Sequence, residues 1–464
     1  MKLARLRIPV IIYVVALGAY LGASGSRLRQ HSNDNHYVYL ADSVLHGQVD
    51  MRVKPPHDND WARVEELTLN DGRSVRGVFM RTGSQDRFRT TKGEILRISQ
   101  ADIARRQYRH YVSFPPLPAV LMLPFVALFG MQLNDVLFTV LLAALAPALL
   151  FALLRRLRES GLSGRSVTDD LWLTALFAVG TVFYYCAVIG QVWYTAHVVA
   201  VLCVIGYAWF ALEARSPLWA GVFLGLAFLT RDGPCLFMFP LFVWEAIRTS
   251  QMADAPAEGG WRAALARVEW RAALRKLALF AAPVAVLGAV AAWFNYARFD
   301  SLTEFGHTYL NVRWTGRIQR WGLFNYHFLS RNLAAWLVLT PRILAKAPYV
   351  QVSWHGMSLF LTTPAFLLLL WPKIRSRLHW PLWLTILPMF VMQALYQNDG
   401  WFQFGYRFSL DFVVFLMLLL ALGGRRVGWP MRVLILVGIA VNLFGAVTFG
   451  RMPRFYYDSF FPAE

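Results

Sequence analysis

The chain has 464 residues, of which 57% are hydrophobic, 15% aromatic and only 16% charged, with a net charge of +19. A soluble domain of this length has no use for so much apolar surface, so the composition argues for a membrane protein. The positive charge then belongs to basic cytoplasmic loops with a share for anionic lipid or phosphate, and no nucleic-acid partner is expected.

Read in chain order, residues 1–7 are short and basic and are expected in the cytoplasm, and residues 8–24 form a first span, read as an uncleaved anchor. The apolar piece at 114–130 is short and carries four prolines. As a span it would leave "RRLRESGLSGR" outside, so it reads as an interfacial or re-entrant helix. Further spans are expected at 135–154, 171–188, 193–212, 218–230, 235–247, 277–294, 357–371, 383–395, 412–422 and 433–449. That makes about eleven transmembrane helices in an all-α polytopic protein, with "RRLR", "KIRSR" and "GGRR" inside. The basic segment at 248–276 reads as an amphipathic helix lying on anionic lipid. Cys186, Cys203 and Cys235 are an odd number in or beside apolar segments, so no disulfide framework or metal spacing is expected.

Two large loops fall outside, at 25–113 and 295–355. The first opens with "HSNDNHYVYLADSVLHG", which reads as a helix with Tyr37, Leu40 and Val44 on one face. Farther on, residues 64–98 alternate apolar and polar with turns at "NDG" and "KG", the pattern of two hairpins and hence a small inserted β-module. The second loop is rich in Arg and aromatics. There is no Walker loop, dinucleotide fingerprint, HExxH, GxSxG or internal repeat.

The order of these features resembles the GT-C glycosyltransferases, in their bacterial branch related to protein O-mannosyltransferases and lipid A aminoarabinose transferases. The likeness rests on a short cytoplasmic N-terminus, one span, and an outer loop opening with Asp34 and "LADSVLHG". It extends to "YVSFPPLPAVLMLPFVALFG", "GVFLGLAFLTRDGPCLFMFPL", "FNYARFDSLTEFGHTY" and "DGWFQFGYRFSLDF". Two features depart from that pattern: the β-module, and "NDN" in place of a paired Asp-Glu.

The resemblance implies a GT-C fold over residues 1–464 in a bacterial inner membrane. It implies transfer of a sugar from a polyprenyl-phosphate donor, with inversion, to an acceptor glycan, lipid or protein on the extracytoplasmic side. Asp34 matches the family's first-loop acid and is the expected base. On spacing alone "SND" before a helix reads as an N-cap. Arg407, Arg231 and Arg331 are the candidates for the donor phosphate. Arg407 reads either as a phosphate clamp or as the partner of Asp411 one helical turn away, and Arg231–Asp232 as a local ion pair. Asp42, Tyr37 and His36 are candidate acceptor or sugar contacts. His31, His36 and His46 lack a metal-ligand spacing, so no cofactor or metal is expected. The alternative is a transporter or flippase for a lipid-linked anion, which would place ionisable groups in mid-span.

Overall fold

The computed structural model describes residues 2–252 and 261–459. Among the described residues five helices are long and apolar enough to cross a membrane: Leu6–Arg29, Asp135–Glu159, Gln191–Ala214, Trp270–Phe299 and Trp429–Thr448. Shorter apolar helices fill the places between them, among them Pro217–Phe228 and Val413–Leu422. All ten residues of Val413–Leu422 are buried, which is why that helix shows no polar face. The expected spans at 357–371 and 235–247 are broken pieces, Leu359–Thr362 with Pro364–Leu370 and Pro234–Met238 with Phe239–Arg248. Pro234, Pro240 and Pro364 each remove a backbone donor and stop one continuous helix from forming. Of the expected amphipathic segment, residues 253–260 lie outside the described residues; a short helix, Trp261–Ala266, follows, and the rest joins the long Trp270–Phe299 helix.

Glycine sets one helix contact that positions the site. A Cβ on Gly221 would collide with the backbone carbonyl of Phe280, and one on Gly225 with Leu287. Pro217–Phe228 therefore lies close against Trp270–Phe299, backbone to backbone. Just past this helix the chain turns at residues 229–234, with the Arg231 amide bonded back to the Ala227 carbonyl at 2.8 Å. Arg231 and Asp232 are thereby presented at the helix end.

The first large loop folds into more than two hairpins. Five strands, β1 (Ala62–Leu69), β2 (Ser74–Phe79), β3 (Arg87–Thr90), β4 (Ile95–Arg97) and β5 (Ile103–Tyr111), form an antiparallel sheet in the order β4-β3-β2-β1-β5. Strand β5 falls outside the expected 64–98 segment because its sequence, "IARRQYRHY", is exposed along most of its length and lacks alternation. Gly72, at φ +85°, makes the β1–β2 turn. The sheet is anchored to the second loop: Ala62 bridges Leu310, and Asp60 and Trp61 exchange backbone hydrogen bonds with Asn311 at 3.2 and 3.0 Å. The second loop itself starts later than expected, since residues 295–299 complete the Trp270–Phe299 helix.

The helix after Asp34 runs His36–Leu45. Of the three residues expected on one face, Tyr37 and Leu40 are buried and Val44 is exposed.

Candidate functional site

A cavity of about 510 Å³ opens where the first loop, the start of the Gln191–Ala211 helix, the 230–234 turn, residues 303–324 and residues 392–408 converge. Its size suits a small-molecule site, which typically spans about 300–1,000 Å³. Asp34, Arg231 and Arg407, some two hundred residues apart in sequence, all line it.

Asp34 is not the helix cap. Asn35 holds that position and makes no side-chain capping bond. The Asp34 carboxylate instead accepts from Gln191 Nε2 at 2.9 Å on one oxygen and lies 3.3 Å from His57 Nε2 on the other. Its backbone carbonyl accepts from the Val192 amide at 2.9 Å. The N-terminus of the Gln191–Ala211 helix therefore abuts Asp34, and its dipole favours a negative charge there. Burial nevertheless raises the Asp34 carboxyl above its ordinary range, against the lowering effect of His57, and the nearby Asp135 raises it further.

Asp60 is a second acid on the same cavity, which sequence reasoning missed. Its Oδ2 accepts from Trp193 Nε1 at 2.6 Å. Burial lifts its carboxyl to about 7; the Trp193 bond opposes that shift, and the Asp34 charge adds to it. The available signal was a mirrored motif: "NDN" at 33–35 and "DND" at 58–60. Gln191, His57 and Trp193 had no such signal, because their roles depend on a long-range meeting of chain segments.

The two arginines differ in their partners. Arg231 pairs with both oxygens of Asp411, at 3.0 and 3.0 Å, and not with its neighbour Asp232, which lies 3.7 Å from His307. Asp411 is fully buried and also accepts from Gln393 Nε2 at 2.8 Å. Arg407 does not pair with Asp411. Residues Arg407–Asp411 form a 3₁₀ turn, where side chains repeat every third residue, so positions four apart diverge. Arg407 Nη1 donates to the carbonyls of Gly400 and Phe402, each at 2.7 Å, and its Nε is buried without a hydrogen-bond partner. No carboxylate lies within ion-pair distance of Arg407 among the described residues.

The remaining candidates lie elsewhere. Arg331 does not line the cavity; its Nε donates to Asp399 at 2.9 Å, and His355 contacts the same oxygen at 2.8 Å. Burial opposes ionisation of Asp399, yet the His355 bond and the Arg331 charge hold its carboxyl at about 2. Because Asp399 also accepts from the Trp401 amide, this cluster braces the 398–402 wall of the cavity, whose carbonyls hold Arg407. Asp42 is taken by Arg52, at 2.9 and 3.2 Å, and does not line the cavity. His36 is buried, stacked 3.6 Å from the Trp61 ring, and burial lowers its pKa to about 3. Tyr37 is buried in the same apolar cluster. The apolar face of their helix explains both, since it packs on the Leu117–Phe129 helix. His31 and His46 bond to the carbonyls of Ser32 and Asp42, each on its own side of the loop.

No family model matches the chain, and no curated protein matches it. Among solved structures it is similar to the apo oligosaccharyltransferase of Archaeoglobus fulgidus, with 13% identity and a TM-score of 0.45 over 97% of this chain. The match spans 56% of the length of that archaeal chain.

Proposed function

We propose that this chain is an integral membrane glycosyltransferase of GT-C type, taking a sugar from a polyprenyl-phosphate donor and passing it to an acceptor hydroxyl with inversion. The observation that carries this reading is the meeting of Asp34, Arg231 and Arg407 on one cavity. Asp34 takes the acceptor proton while the acceptor oxygen bonds to the anomeric carbon. The bond from that carbon to the phosphate oxygen breaks, and its electron pair leaves with the polyprenyl phosphate. Arg407, a guanidinium with no carboxylate partner among the described residues, holds the departing phosphate, and Arg231 adds positive charge beside it. Asp60, with its carboxyl near neutrality, stays partly protonated and donates to a bound oxygen while Asp34 is ionised. Two carboxyls whose surroundings set them apart can divide acid and base roles in this way. The cavity's aromatic lining, including Trp193, Trp314, Tyr396 and Trp401, gives sugar rings flat apolar faces.

Incubation of the purified protein with a panel of radiolabelled polyprenyl-phosphate sugars tests the reaction. Release of polyprenyl phosphate with label in an added membrane-glycan fraction supports it. Movement of intact donor across proteoliposomes without cleavage supports the flippase alternative instead. Arg407→Lys is expected to weaken donor binding by about tenfold or more, since a planar fork for two phosphate oxygens becomes a point charge. Unchanged donor affinity in that variant removes Arg407 from the phosphate site.

The reading also carries a topology: about eleven spans, an N-terminus in the cytoplasm and the cavity on the outer side of a bacterial inner membrane. Cysteines at two exposed positions test it, since the three native cysteines are buried. Lys92→Cys, on the β3–β4 turn, is expected to react with a membrane-impermeant maleimide that reaches the periplasm of intact cells. Gly164→Cys is expected to react only after the inner membrane is permeabilised. Labelling of both from outside overturns the scheme.

A further inference from the structure

A separate cleft of about 360 Å³ lies between the β-sheet and residues 308–315 of the second loop. Strand β1 contributes Arg63 and Glu65, strand β5 contributes Arg106 and Tyr108, and the end of β2 with its following turn contributes Phe79 and Arg81. Strand geometry assembles this wall. Arg63 and Glu65 are two residues apart and share a face, with Tyr108 directly opposite Glu65 and Arg106 opposite Leu67. The exposed, non-alternating sequence of β5 that hid the strand from pattern reading thus places polar and aromatic groups along a groove.

Three observations define what the cleft accepts. Tyr108 is 47% exposed, an aromatic face open to solvent, with the Arg63 guanidinium 5.0 Å from its ring centre. The Arg106 guanidinium lies 5.2 Å from the Phe79 ring, so two planar platforms flank the groove. Glu65 is only 5% exposed, yet its Oε2 accepts no hydrogen bond, and its nearest cation is Arg106 Nε at 3.6 Å. A buried carboxylate oxygen without a donor is costly, and a ligand hydroxyl would satisfy it. Arg63 and Arg81 have no carboxylate within ion-pair distance among the described residues. Arg81 is held in place by the Val312 carbonyl at 3.0 Å and Asn311 Oδ1 at 2.7 Å. Flat rings, a carboxylate in need of hydroxyl donors and two guanidiniums with no carboxylate at ion-pair distance together describe a polyhydroxylated, anionic ligand.

We propose that this cleft binds an acidic oligosaccharide, at a site distinct from the larger cavity. The two cavities share Leu310 as a wall, and its neighbour Asn311 is bonded to Asp60 and Trp61. A sugar chain in the cleft therefore lies beside the segment that presents Asp60. Binding does not depend on turnover, so the cleft can hold a glycan whether or not the cavity transfers a sugar.

The test is calorimetry on the full-length protein in nanodiscs with three probes: tetragalacturonate, neutral cellotetraose and tetraglutamate. Tetragalacturonate is expected to bind more tightly than either of the others. Tyr108→Ala should weaken it by about tenfold, the scale of one lost ring contact, and Arg63→Ala by a similar factor. Both positions are at or near the surface, and a circular dichroism spectrum matching the parent checks that the variants fold. Asp34→Asn is expected to leave this binding unchanged, which separates the cleft from the proposed reaction. Equal binding of tetraglutamate reduces the cleft to a basic patch and overturns the proposal. So does an absence of tetragalacturonate binding at millimolar concentration, or binding that survives both substitutions.

Discussion

Asp34→Asn is expected to leave expression and donor binding intact and to lower turnover by roughly a hundredfold or more, the lower end of general-base effects. The substitution is nearly isosteric, and an amide oxygen can still accept from Gln191, so the loop should keep its shape. What is lost is the basic lone pair. In the parent, burial raises the Asp34 carboxyl, so the active, ionised fraction grows as pH rises through a window above the ordinary carboxylate range. The turnover of the parent should therefore fall on the acid side at a higher pH than a solvent-exposed aspartate would give. His57, 3.3 Å away, opposes that shift, so removing it as His57→Ala should move the acid limb to still higher pH while leaving donor affinity unchanged. Full activity of Asp34→Asn would falsify the assignment, and Asp60 would then be the acid to test next.

How much of this site was legible beforehand depended on distance along the chain. Asp34 was singled out through the resemblance, since its spacing alone reads as an N-cap, and the structure puts it on the cavity. Arg407 and Arg231 stood out because a charge at the end of an apolar run needs a reason, and both line the cavity. Their partners could not be read. The helical assumption paired Arg407 with Asp411 four positions on, but a 3₁₀ turn breaks that geometry, and the carboxylate belongs to Arg231, 180 residues away in sequence. Arg331 looked equivalent to the others in composition, and only tertiary structure shows it bracing Asp399. His36 and Tyr37 shared the quoted stretch with Asp34 but sit on the buried face of the helix that follows it. Strand β5 escaped because one side of an edge strand facing a wet groove does not alternate. The long helices were plain from hydropathy, whereas the proline-broken ones were legible as apolar runs and not as fragments.

The second large effect concerns stability. Asp411→Asn is expected to destabilise the protein by roughly 3–5 kcal/mol, the usual cost of removing one partner from a buried ion pair. Asp411 is fully buried and Arg231 only 19% exposed, on its cavity side, so water can replace only part of the lost carboxylate. The arrangement is more than a pair: His197 lies 3.3 Å from one Asp411 oxygen, and Gln393 donates to the other. Removing the charge strands the Arg231 guanidinium beside the cavity it lines. If that cavity holds a phosphate, an anion entering it should partly repair the defect. Thermal unfolding in detergent should therefore show a larger upward shift on adding undecaprenyl phosphate for Asp411→Asn than for the parent. Removing both charges, as Arg231→Met with Asp411→Leu, should recover much of the stability, because a buried pair replaced by apolar groups of similar volume is often neutral. The same double variant should lose the extra shift seen in Asp411→Asn and keep only the part that Arg407 supplies, since the stranded cation is gone. A melting temperature unchanged in Asp411→Asn would mean that the pair contributes little to stability. A ligand shift equal in all three proteins would place the phosphate away from Arg231 and leave Arg407 to hold it alone.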